Sequence, residues 1–92
     1  MLKDSLLKGQ QIIAPGVFDG LSARIAQQSG CNVLYMSGFC VSGTLLGTPD
    51  VGLVTATEMI DRVQQIVNSA PGAAVIADGD NGHGGVHNVA RI

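Results

Sequence analysis

The chain has 92 residues, 46% of them hydrophobic and 13% charged, a balance too apolar for disorder and a length suited to one small domain with one core. Its formal net charge of -2 comes from five basic and seven acidic residues with no run of either sign. That leaves no electrostatic footprint for nucleic acid or an anionic membrane surface.

In chain order, Ser5 to Gln11 reads as a short entry helix closed near Gly9, and Gln11 to Pro15 as a brief buried strand ended by Pro15-Gly16. Asp19 is placed to cap the next helix, Gly20 to Ser29, in which Leu21, Ile25 and Ala26 fall at helical spacing and Gly30 is the stop. Asn32 to Met36 reads as a second strand, apolar in the way expected when both faces of a parallel strand are covered. Ser37-Gly38 ends it. Phe39 to Leu53 is rich in Gly, Ser and Thr and includes Pro49-Asp50-Val51-Gly52, which predicts a long loop with at most one helical turn. Thr55-Ala-Thr-Glu58 has capping-box spacing and opens a helix whose Met59, Val63, Ile66 and Val67 form one stripe against Asp61, Arg62, Gln64 and Gln65. Ala73 to Ala77 is the third strand, followed by Asp78, the glycine-rich stretch Gly79 to Gly85, and a further helix from Val86 to Ile92. Apolar strands alternating with amphipathic helices imply right-handed βαβ units, an α/β fold with a parallel sheet.

Cys31 and Cys40, with no secretory leader ahead of them, read as reduced thiols of a cytosolic or organellar protein. No stretch approaches the ~18 consecutive apolar residues of a membrane span. A length this small buries only roughly 60% of the surface its unfolded form exposes, so a metal or a partner chain is expected to supplement the core.

Asp78-Gly79-Asp80 places two carboxylates two positions apart at a strand terminus. Such groups repel, and a hard divalent cation relieves the repulsion; oxygen ligands this sparse suit Mg²⁺ better than Ca²⁺ or Zn²⁺. The alternative is a solvated acidic turn in which Asp80 or Asn81 caps the following helix. A calcium hand fails because Gly82 and Val89 stand where it needs ligands, and a P-loop fails for want of Gly-Lys-Ser/Thr. His83 and His87 are four apart, but glycines flank His83, which makes a loop histidine that positions substrate or faces solvent the better reading than a zinc ligand. Parallel strands bring their carboxyl ends together, so Ser37 and Gly38 fall on the edge that carries Asp78. There Ser37 either receives a substrate carboxylate or caps the turn. Asp50 either reaches over that edge or is a turn residue, and Cys40 is read as a small buried thiol instead of a nucleophile.

Five blocks, in order and spacing, closely resemble the isocitrate lyase/phosphoenolpyruvate mutase superfamily. They are Pro15-Gly16-Val17-Phe18-Asp19 with Leu21-Ser22-Ala23, Tyr35-Met36-Ser37-Gly38, Leu46 to Gly52, Ala77-Asp78-Gly79-Asp80-Asn81-Gly82, and Asn88-Val89. The likeness is greatest to the branch holding 2-methylisocitrate lyase, oxaloacetate decarboxylase and the phosphonomutases. It implies that residues 1–92 are a single partial domain, the first three or so βα units of a (β/α)₈ TIM-type barrel with parallel strands. It also implies a cytoplasmic, homo-oligomeric enzyme in which Mg²⁺ or Mn²⁺ binds a small 2-oxo or 2-hydroxy carboxylic acid while a C–C bond is cleaved or formed through an enolate-type intermediate. By similarity Asp78 and Asp80 hold the cation, Asp50 assists at its water shell, and Ser37 with the Gly38 and Phe39 backbone receives the substrate, close to His83. His83-Gly84-Gly85 departs from the aromatic-Gly-Asn usual in the family. The family's Lys-(Lys/Arg)-Cys-Gly-His acid–base segment would lie beyond Ile92, so the isolated chain is expected to have little activity. A non-catalytic βα module that oligomerises, and a fragment of a P–C bond enzyme, are the alternatives.

Overall fold

A computed structural model describes residues 2–49, 53–79 and 86. Its elements are α1 (Leu2–Leu7), β1 (Gly16–Val17), α2 (Gly20–Gln28), β2 (Val33–Met36), α3 (Gly38–Leu46), α4 (Ala56–Ser69) and β3 (Ala74–Ala77). The three strands form one parallel sheet in the order β1-β2-β3. Met36 pairs with Val17 on one side and with Ala77 on the other, so the three carboxyl ends lie level. This is the α/β arrangement expected of the first three βα units of a barrel.

The helices start where side chains can satisfy their first N–H groups. Asp19 caps α2 by accepting from Ser22 N at 2.7 Å, while Ser22 Oγ accepts from Asp19 N at 3.1 Å. Thr55 and Glu58 form the same reciprocal box at the start of α4. Gly30 takes φ 98° just after α2, a left-handed conformation that costs glycine little.

One face of the sheet carries the core. Val17, Leu34 and Met36 are buried there against Ala23 of α2, Val41 of α3, and Met59 and Ile66 of α4, with Val54 and Ala70 completing the cluster. The helices α2 and α4 pack on each other, closely enough at Gly20 that a Cβ there would stand 2.6 Å from Ser69 Oγ.

Four expectations need correction. The entry helix is Leu2–Leu7, not Ser5 to Gln11. The first strand is Gly16–Val17, not Gln11 to Pro15: Ile13 is 78% exposed, and pairing begins only where the Pro15 carbonyl accepts from Tyr35 N at 3.0 Å. The stretch after Ser37 is a nine-residue helix instead of a loop, stabilised by the Ser37 cap and by burial of Val41 and Ser42. The strands are not covered on both faces either, for the paired residues Tyr35 and Ile76 are 39% and 41% exposed. The helix expected from Val86 onward lies outside the described residues apart from Val86, which is helical.

Candidate functional site

At the carboxyl rim the residues after β2 and β3 each donate to the preceding strand. Ser37 N donates to Val17 O at 3.1 Å, and Asp78 N donates to Met36 O at 3.3 Å. The ladder thus continues one residue past β2 and β3, and it sets Ser37 and Asp78 next to each other, as parallel strands of level length require.

The Asp78 carboxylate then reaches across to the helix that follows β2. Its Oδ2 accepts from Gly38 N at 3.3 Å, which leaves a half-buried carboxylate at the N-terminus of α3. That position suits it twice over. A first-turn N–H has no partner inside the helix, and the helix dipole favours negative charge at this end.

Ser37 is the N-cap of α3: its Oγ accepts from Cys40 N at 3.3 Å. Of the two roles open to it, capping is the one this geometry displays, and it caps a helix instead of a turn. Gly38 is buried, whereas the Phe39 side chain is 67% exposed. Cys40 and Cys31 are both free thiols, and both are half-buried, so Cys40 is less enclosed than the buried thiol expected. Asp50, Asp80 and His83, with His87, lie outside the described residues. The structure therefore brings together Ser37, Gly38 and Asp78, and it describes the Phe39 backbone one residue further along α3.

A residue that sequence reasoning left on the solvent face also serves this rim. Arg62 of α4 donates from Nη1 to Phe18 O at 2.8 Å and to Thr44 Oγ1 at 3.4 Å. Its placement in α4 between Asp61 and Val63 carried no signal of this, since an arginine on a polar helix face is ordinarily solvated.

Carboxylate oxygen is the donor type a hard divalent cation takes, and Mg²⁺ is held by as few as one or two carboxylates with water filling the remaining positions. Asp78, half-buried on the rim with its backbone fixed by Met36, fits such a role. Among the described residues there is no group of three or more His, Cys, Asp and Glu side chains that could hold a metal, and no helix long and apolar enough to cross a membrane.

The phosphoenolpyruvate phosphomutase family model matches residues 2–92. The 2,3-dimethylmalate lyase of Eubacterium barkeri is 41% identical over 90 residues, which cover 98% of this chain and 31% of that protein. A crystal structure of 2,3-dimethylmalate lyase, a superfamily member of the PEP mutase/isocitrate lyase type, superposes with a TM-score of 0.88 at 42% identity, covering 98% of this chain and 32% of its own. Phosphonopyruvate hydrolase in complex with oxalate and Mg²⁺ superposes with a TM-score of 0.89 at 27% identity, covering 99% of this chain and 31% of its own. The chain thus spans about three tenths of the length of the proteins it matches.

Proposed function

Because the chain belongs to the phosphoenolpyruvate phosphomutase family, whose members compared above are enzymes, we propose that it is a partial domain, residues 1–92, of a cytoplasmic Mg²⁺- or Mn²⁺-dependent lyase. Such an enzyme would cleave or form a C–C bond in a small 2-oxo or 2-hydroxy carboxylic acid. The observation that carries this reading is the Asp78 carboxylate bonded to the first N–H of α3 on the sheet's carboxyl rim.

In this reading Asp78 and Asp80 hold the cation and Asp50 orders its water shell. When bound, the cation acts as a Lewis acid toward the oxygen on which negative charge accumulates. Ser37 fixes the first turn of α3 through its bond with Cys40 N, so that the Phe39 N–H stands preorganised beside a substrate carboxylate while the Gly38 N–H is held by Asp78. Burial of Gly38 keeps water from that peptide. His83 orients the substrate from the following loop.

The test is a calorimetric titration of the chain with Mn²⁺, and with oxalate in the presence and absence of Mn²⁺. Oxalate is expected to bind only when the cation is present; equal oxalate affinity without it would refute the reading.

A second reading, a βα module that assembles with copies of itself, is favoured by one observation. Tyr35 and Ile76 form an exposed apolar pair on the face opposite the helices, and among the described residues β3 pairs on one side only. It predicts a mass by light scattering that rises with protein concentration, and a constant monomer mass would eliminate it.

A further inference from the structure

Burial anchors α3 by its first half only. Gly38, Val41 and Ser42 are buried, while Gly43 to Leu46 are exposed. A helix with Gly43 and Thr44 in its middle has weak intrinsic propensity, so its second half relies on the Gly47 cap and on contacts from other elements. Thr44 turns its hydroxyl back to Cys40 O at 2.8 Å, which leaves the oxygen lone pairs facing Arg62.

Arg62 also meets a need at the end of β1. The chain leaves the sheet after Val17, whose carbonyl takes the last ladder bond, from Ser37 N. The next carbonyl, that of Phe18, accepts instead from the Arg62 guanidinium at 2.8 Å, a charge-assisted bond. One side chain of α4 therefore touches the carboxyl end of the first strand and the helix that follows the second. Its own helix leads into the third strand, which carries Asp78.

We propose that Arg62 is a positioning residue for the rim: by tying Phe18 O and Thr44 Oγ1 to α4, it sets where α3 presents the Gly38 N–H to Asp78. Thr44 is six residues from Gly38, about 9 Å along the helix at ~1.5 Å per residue, so a tilt at one end is felt at the other. Both bonds leave one nitrogen, Nη1, so a lysine ammonium that reaches the same place keeps part of the tie.

The experiment uses the full chain, ¹⁵N-labelled, as wild type, Arg62→Met and Arg62→Lys. In Arg62→Met the Gly38 amide proton is expected to move upfield as its bond to Asp78 lengthens, with Arg62→Lys intermediate and the Gly47 amide unmoved. The Mn²⁺ dissociation constant is expected to rise about tenfold, the size seen when a group that orients a metal ligand is lost. A purely structural role would lower the melting temperature and leave the Gly38 resonance where it was, and that result in folded Arg62→Met overturns the proposal. Should Arg62→Met not fold, Thr44→Val removes only the α3 leg, and an unmoved Gly38 resonance there overturns it equally. The Mn²⁺ measurement rests on the proposed lyase reading; if the wild-type chain binds no Mn²⁺, that reading fails, and the Gly38 shift alone decides the role of Arg62.

Discussion

Replacing Asp78 with alanine is expected to weaken Mn²⁺ binding by at least about a hundredfold, roughly 2.7 kcal/mol. The side chain is the described carboxylate at the end of β3, and its backbone is fixed to Met36 O. The same substitution removes the acceptor of the Gly38 N–H, so Ala alone mixes two effects. Asp78→Asn separates them, since the amide oxygen still accepts from Gly38 while the charge is gone. Both variants should lose the cation, measured by titration with Mn²⁺, and Asn should keep the Gly38 amide close to its wild-type position. Full Mn²⁺ affinity in Asp78→Ala would remove Asp78 from the metal site.

Leu34→Ala is expected to destabilise the chain by about 3 kcal/mol, within the ~2–5 kcal/mol span of buried Leu→Ala changes. Leu34 is fully buried at 0% exposure in the central strand, inside the one hydrophobic cluster seen among the described residues. The loss is large because the total is small: ~0.05–0.15 kcal/mol per residue is typical of folded chains, and the opposite face of this sheet adds little burial at Tyr35 and Ile76. Urea denaturation followed by circular dichroism reads the change as a lower midpoint. Ile13→Ala is the control: 78% exposed, Ile13 should shift stability by no more than about 0.5 kcal/mol. Equal effects at the two positions would show that the core does not lie where the structure puts it.

The regions legible in the sequence are those where local chemistry and tertiary packing agree. Asp19 and Thr55 announce α2 and α4 because capping is a matter of neighbouring atoms, and the stripe of α4 holds at Met59 and Ile66, although Val67 is 45% exposed. The strand ends at Met36 and Ala77 were readable from the glycines that follow, and with them the placement of Ser37 beside Asp78. Helix α3 was not, because Ser37, Gly38, Gly43 and Thr44 carry turn propensity that burial of Val41 and the left-handed Gly47 cap, φ 65°, override. Nor was β1: Ile12-Ile13 looked like strand, but pairing is decided by which carbonyl meets Tyr35 N, and that belongs to Pro15. Arg62 was illegible for the same reason, since its partners Phe18 and Thr44 are 44 and 18 positions away.

The exposed second half of α3, Gly43 to Leu46, is where the helix frays first. Local opening of a few solvent-washed residues costs less than global unfolding, so Gly43 to Leu46 can unwind while Gly38, Leu34 and Ile66 stay packed. A ligand that grips only the closed helix then acts as a brace, suppressing that opening in proportion to its occupancy. If the rim takes an anion as proposed, its affinity is coupled to how long α3 stays wound.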